Sequence, residues 1–171
     1  MSKKPKIYPI AAVETLGLRD EALAHYIPDL VFSRVFEFIG MISPLVKTTS
    51  ESDLILIIRK GLSKKHLETL METTGLNLPA MALILHVSER TMHRYANNTL
   101  LNPEISERLL EIAKLYAKGQ DVFGSLDSFK QWMQYPVVAL GHKKPLEFLD
   151  TSIGIRLLED ELGRIEHGIF S

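Results

Sequence analysis

The stretch from Asn77 to Asn97, NLPAMALILHVSERTMHRYAN, constrains the fold most, because it carries two helix-start signals in quick succession. The Asn77 side-chain oxygen is suited to accept a bond from an orphan N–H of a first helical turn, and Pro79 sits where its missing N–H costs little. Ser88 offers a second helix the same cap, and Glu89 then places a negative charge near the positive end of that helix dipole. Met81, Ala82 and Leu85 are spaced as one buried face, with Val87, Met92 and Tyr95 as the facing set across a tight corner. A residue as small as Ala82 lets the two helices cross closely. Left outward on the second helix are Glu89, Arg90, Thr91, His93, Arg94 and Asn97, side chains that suit phosphates and base edges. The spacing reads as a helix-turn-helix with Ser88 to Asn97 as the recognition helix. Solvation alone also leaves a polar outer face, so both readings stand at this point.

The chain is long enough, at 171 residues with 46% apolar content, to bury a full core as one compact domain or two small ones. Its net charge of −1 does not advertise a nucleic-acid partner. The distribution says more. Lys and Arg number six against seven Asp and Glu up to residue 58, nine against six from 59 to 118, and five against eight thereafter. The positive excess thus falls on the segment holding the helix pair. Cysteine is absent, which removes disulfides, thiolate catalysis and cysteine-ligated zinc, and fits a reducing cytoplasm. No apolar run has the length of a signal peptide or a membrane span, so neither export nor membrane insertion is expected.

Taken in order, residues 1 to about 17, with Lys3, Lys4, Lys6, Pro5 and Pro9, suit a mobile arm. Helices are expected over Asp20 to Ile27 and Pro28 to Ile42. The run LVFSRVFEFIGMI is apolar nearly all round and needs cover on more than one face, from an internal core or from a second copy of the chain. Pro44 and KTTSES mark a boundary. Ser50 and Asp53 signal a short helix, DLILIIRKG, whose leucines and isoleucines suggest burial. Ser63 caps KKHLETLMETT, which ends at Gly75. After the helix pair, Asn102 and Pro103 start a long helix that ends at Gly124, with Ile105, Leu109, Ile112, Leu115 and Tyr116 at helical spacing to brace the reading head. Leu126, Phe129, Trp132 and Met133 suggest a further short helix closed by Pro136. Pro145 opens a single turn, and Thr151 can cap a last helix in which Gly154, Gly163 and Gly168 look like weak points. The expectation is an all-α protein with units at 1–52, 53–124 and 125–171.

An enzyme reading finds little support. The corner between His86 and His93 prevents a shared helical face, and no HExxH run exists, so no metal site is expected. Glu159, Asp160 and Glu161 form an acidic cluster that reads as a solvated face. No phosphate-binding glycine loop follows a strand, because no strand is expected. Neither catalysis nor a cofactor is indicated.

Two regions resemble a known family. The run from Leu83 to Arg94 resembles the "LA..LGVS..T..R" pattern of Xre-type helix-turn-helix domains, with His86 where that pattern usually has glycine. Such a corner asks a histidine to adopt left-handed backbone. The segments IIRKGL at Ile57 to Leu62 and SERLL at Ser106 to Leu110 are similar to that family too. Further on, Trp132, Pro136, Ala139, Leu140, Gly141, Pro145, Leu146, Leu149, Asp150, Thr151 and Gly154, then LGRIEHG at Leu162 to Gly168, resemble the toxin-binding domain of Xre/MbcA/ParS-type antitoxins. The likeness runs from about Asp53 to Ser171.

The resemblance implies a type II antitoxin. Such a protein pairs with a RES-domain toxin that consumes NAD, blocks the toxin's active site with its C-terminal region, and represses its own operon. From the outward face of the second helix, the expected DNA contacts are Ser88, Arg90, Thr91, Arg94 and Asn97, with Lys64 and Lys65 as peripheral charge. The residues themselves agree: the tail Gly168, Ile169, Phe170 and Ser171 is short, partly apolar and suited to enter a cleft, with Phe170 as anchor, and Arg164, Glu166 and His167 are expected at its rim. A homodimer and a higher toxin-antitoxin assembly are expected, since one small head buries little surface on DNA. The alternative is a stand-alone helix-turn-helix transcription regulator with no toxin partner.

Overall fold

The computed structural model describes residues 33–41 and 51–168. The arm at 1–17, the helix over 20–27, the boundary at Pro44 and the Ser50 cap lie outside the described residues. So do the tail residues Ile169, Phe170 and Ser171.

Every named element of the described chain is helical: α1 (Glu51–Lys60), α2 (Lys64–Thr74), α3 (Leu78–Ile84), α4 (Glu89–Arg94), α5 (Pro103–Phe123), α6 (Leu126–Gln134), 3₁₀ turns at Val138–Leu140 and Pro145–Phe148, and α7 (Ser152–Glu166). Among the described residues, extended pairing is confined to two isolated bridges, Ser63 with Leu100 and Val137 with Lys143. The all-α expectation holds.

The long helix α5 organises the rest. Asn102 caps it by accepting the Ile105 N–H at 2.8 Å, and Gly124 closes it in left-handed backbone at φ 73°. Ile105, Leu109, Ile112, Leu115 and Tyr116 are buried as their spacing requires, and so are Leu110, Ala113 and Ala117 on neighbouring faces. Helices α1, α2, α6 and α7 all pack against it. The short helical segment 33–38 joins the same core. Val35, Phe36, Phe38 and Ile39 are buried, the Phe38 ring lies 6.4 Å from Tyr116, and Arg34 pairs with Asp121 of α5. The described part of the apolar run therefore packs into the chain's own core.

Close backbone approach sets the C-terminal part. Phe129 of α6 stands edge-on to Tyr116 at 5.1 Å and stacks on Trp132 at 5.7 Å. A Cβ at Gly119 would fall 2.4 Å from the Phe129 ring, so that contact needs glycine. Thr151 caps α7 by accepting the Gly154 N–H at 3.0 Å.

Three expectations are corrected. Gly154 is no weak point: a Cβ there would sit 2.1 Å from the Phe148 carbonyl oxygen, so glycine lets the first turn of α7 rest on the preceding turn. Glu161 does not belong to a solvated acidic face. It is buried at the α5-facing side of α7, and its Oε2 accepts from Arg164 Nε at 2.7 Å and Nη2 at 2.5 Å, which offsets its desolvation. Finally, α1 buries only one stripe. Leu54 points inward, while Ile55 and Leu56 are 47% and 62% exposed, because among the described elements the main cover for this helix is α5, which shields one stripe.

Candidate functional site

The helix pair forms as its caps dictate. Asn77 Oδ1 accepts the Ala80 N–H at 3.0 Å to start α3, and Ser88 Oγ accepts the Thr91 N–H at 3.1 Å to start α4. Met81, Ala82, Leu85 and Met92 are buried between the two helices and the core, with Val87 and Tyr95 packed half-buried at its edge. The corner takes the conformation that the missing glycine left in question. His86 has φ 53°, the His86 N–H donates to Leu83 O at 3.2 Å, and the Val87 N–H donates to Ala82 O at 3.0 Å. These are the two bonds of a Schellman ending, built here on a histidine.

Ser88, Glu89, Arg90, Thr91, His93 and Arg94 are all exposed, so the outward face holds together on one short helix. The recognition helix is shorter than its sequence reading. It ends at Arg94, because half-buried Tyr95 turns to extended backbone (φ −62°, ψ 124°), and exposed Asn97 lies in the turn beyond. Lys65 is exposed, whereas Lys64 is mostly covered and pairs with Glu68 at 3.3 Å. Helix α2 is anchored behind this head. The Lys64 N–H donates to Thr99 O at 3.1 Å, the Leu101 N–H to Leu62 O at 2.8 Å, and the Leu62 N–H to the buried Ser106 hydroxyl at 2.9 Å.

The start of α2 uses an unusual reciprocal cap. His66 Nδ1 accepts the Ser63 N–H at 3.0 Å, the place usually taken by Glu or Gln. Burial, with a smaller contribution from Lys65, lowers the His66 pKa and favours the neutral ring that this bond requires.

The corner is also tied to the C-terminal part of the chain. The His86 ring bonds through Nε2 to the Asp150 carbonyl at 2.9 Å, across 64 residues of sequence. Two residues further on, the Ser152 hydroxyl donates to Glu111 of α5 at 3.3 Å. A concavity of about 310 Å³ lies between the corner and the first turns of α5, lined by Ile84, Leu85, His86, Val87, Asn102, Glu104, Ile105 and Arg108. Sequence reading missed the His86 link, and the one signal for it was the departure from glycine.

At the far end, Arg164 is engaged with Glu161 and keeps 38% of its side chain exposed, while Glu166, His167 and Gly168 are exposed. Among the described residues no three His, Cys, Asp or Glu are grouped to hold a metal ion, and no helix is long and apolar enough to cross a membrane.

A capped helix pair with a basic outer face, braced by a long helix that continues into a second helical layer, defines a DNA-binding protein with an appended partner domain. Residues 53–114 match the antitoxin Xre-like helix-turn-helix domain, and residues 118–168 match the antitoxin Xre/MbcA/ParS C-terminal toxin-binding domain. A Prs ADP-ribosylating antitoxin from Sphingobium sp. (strain YBL2) is 30% identical over 132 residues, covering 71% of this chain and 83% of that protein. Antitoxins Xre from Yersinia enterocolitica and Photorhabdus laumondii are 35% identical over 86 residues and 37% identical over 67. Those matches cover 49% and 39% of this chain, and 57% and 45% of the two relatives. The chain belongs to the Xre/MbcA/ParS family of antitoxins. It is a toxin-neutralising regulator.

Proposed function

We propose that this antitoxin neutralises a RES-domain toxin that consumes NAD, covering the toxin's active site with its C-terminal region, and that it represses its own operon through α4. The observation that carries the reading is the pairing, on one helical framework, of an exposed DNA-reading helix with a matched toxin-binding domain. The name of the Sphingobium relative adds chemical support, since ADP-ribosylation draws its ADP-ribosyl group from NAD. In this reading Arg90 and Arg94 meet base edges or phosphates, Ser88 and Thr91 meet phosphates, and Asn97 and Lys65 lie at the margin with Lys64 behind them. Arg164, Glu166, His167 and Gly168 form the rim from which Ile169, Phe170 and Ser171 enter the toxin. Two copies of the head read a palindromic operator with half-sites about one helical turn apart.

The test is co-purification of this chain with the product of the adjacent gene, followed by assay of that product's NAD consumption with and without it. Stoichiometric capture with loss of NAD consumption is the expected result, and deletion of Gly168 to Ser171 should abolish neutralisation while leaving operator binding intact. Absence of capture would overturn the RES-toxin assignment.

A further inference from the structure

Among the described residues, two that are not glycine adopt left-handed backbone, His86 at φ 53° and His142 at φ 60°. The first is accounted for internally, because its ring is spent on Asp150. The second leaves its ring unengaged: the exposed His142 side chain makes no hydrogen bond or ion pair with any described residue. Strain at an L-residue persists where surrounding structure or function holds it, and here the surroundings hold only the backbone. The His142 N–H donates to Val137 O at 3.0 Å, the Val137 N–H donates to Lys143 O at 3.0 Å, and Gly141, also left-handed at φ 67°, donates to Val138 O at 2.9 Å. Buried Leu140 and Pro145 pin the loop to the core on either side of its tip. The result is a closed, fixed protrusion.

Its outer surface has a consistent chemistry. Tyr135 and Val138 are each 67% exposed, and His142, Lys143 and Lys144 follow one another on the outside. None of the Tyr135, His142 or Lys143 side-chain polar groups is hydrogen-bonded or ion-paired to a described residue, in a C-terminal third that is otherwise acidic. An exposed aromatic and an aliphatic tip beside adjacent cations make the arrangement of a contact anchor with a charged rim. Because the backbone is already locked, little ordering entropy opposes binding.

We propose that the 135–144 loop is a docking knob for the toxin, seated in an apolar depression of the toxin that is bordered by carboxylates. This inference rests on the reading of the chain as a RES-toxin antitoxin. The toxin is favoured over DNA as occupant because the loop lies within the matched toxin-binding domain and because its tip is apolar, which a phosphate backbone does not reward. The knob is a different stretch of the matched toxin-binding domain from the rim residues Arg164, Glu166, His167 and Gly168, so in this reading the toxin is gripped through two segments.

The experiment uses the full chain and the adjacent-gene toxin, with toxin affinity and operator affinity measured in parallel at two salt concentrations. The variants are the pair Lys143→Glu with Lys144→Glu, Tyr135→Ala, and His142→Gly, which removes the ring while easing the backbone. The charge-reversed pair is expected to weaken toxin binding at least about tenfold, less so at high salt, with operator affinity unchanged. Tyr135→Ala is expected to weaken it by a similar factor without salt dependence, and His142→Gly to weaken it while the chain remains folded. If wild type captures the toxin and the variants capture it equally well, the knob assignment fails and the antitoxin reading survives. Loss of operator affinity with toxin binding intact would make the loop a nucleic-acid contact and likewise overturn the assignment. If wild type captures no toxin, the RES-toxin reading falls first and the knob with it.

Discussion

Ser106 is the hydroxyl on which the placement of the DNA-reading head depends. It is fully buried on α5, accepts the Leu62 N–H at 2.9 Å and donates to Asn102 O at 2.9 Å. Leu62 is itself buried and immediately precedes α2. Ser106→Ala removes one oxygen, too little volume to leave a large cavity, and strands the Leu62 N–H away from water. A buried donor left unpaired costs about 1 to 3 kcal/mol. Alanine regains up to about 0.7 kcal/mol of helix propensity. The net expectation is a loss of about 1 to 2 kcal/mol, which for a domain of this size lowers Tm by roughly 3 to 6 °C. Thermal unfolding gives the total, and amide hydrogen exchange locates it. Exchange at Leu62 should accelerate more than at core amides of α5 such as Ile112 or Leu115. A Tm equal to or above wild type, with the Leu62 amide still protected, would refute the reasoning.

Four further outcomes are expected. Gly154→Ala forces a Cβ against the Phe148 carbonyl and should cost about 1 to 3 kcal/mol before up to about 1 kcal/mol of propensity is regained, a loss read as lowered Tm. His86→Gly should leave global stability within about 1 kcal/mol, because relief of left-handed backbone offsets one lost hydrogen bond, while amides around Asp150 to Ser152 exchange faster; unchanged exchange there would show that the ring carries no tie. The lowered pKa of His66 means that the unfolded chain binds this proton more readily than the folded one. Its contribution to stability is therefore complete above about pH 6.5 and is lost as pH falls from there through the lower folded value, a slope in Tm that His66→Gln should flatten. In the DNA reading, Arg90→Ala should weaken operator binding by about 1 to 3 kcal/mol, at one operator position if it reads a guanine and across all sequences if it holds a phosphate; undiminished binding would remove Arg90 from the interface.

The parts of the fold that were legible beforehand are those decided within a few residues. The caps at Asn77, Ser88, Asn102 and Thr151 all form, because each depends on a side chain reaching an N–H three positions away. The buried stripe of α5 is equally local, being a matter of helical period. What the sequence hid depends on distant neighbours. Nothing in the runs around His86 and Asp150 announces that they meet, nor does the spacing of Leu62 and Ser106. Glu161 looked like a surface acid because its burial depends on where α7 lies against α5. Ile55 and Leu56 looked like core because composition cannot say how many neighbours a helix has. The end of α4 was misread for a smaller reason: Tyr95 fits helical spacing but packs at the core's edge in extended backbone.

The position of α5 bears on how this antitoxin can be divided. The helix-turn-helix match stops at residue 114 and the toxin-binding match starts at residue 118, yet both points lie inside one uninterrupted helix running from Pro103 to Phe123. A toxin-binding fragment cut at 118 would leave α6 and α7 without the Ile112, Leu115 and Tyr116 side of their support, and would present the uncovered faces of Phe129, Leu158 and Leu162 to water. A DNA-binding fragment ending at 114 would fray its own brace. Exchanging modules between relatives is therefore better done at the start of α5 than between the two matched regions, with the whole helix carried along with the toxin-binding part and the Leu62–Ser106 contact restored across the junction.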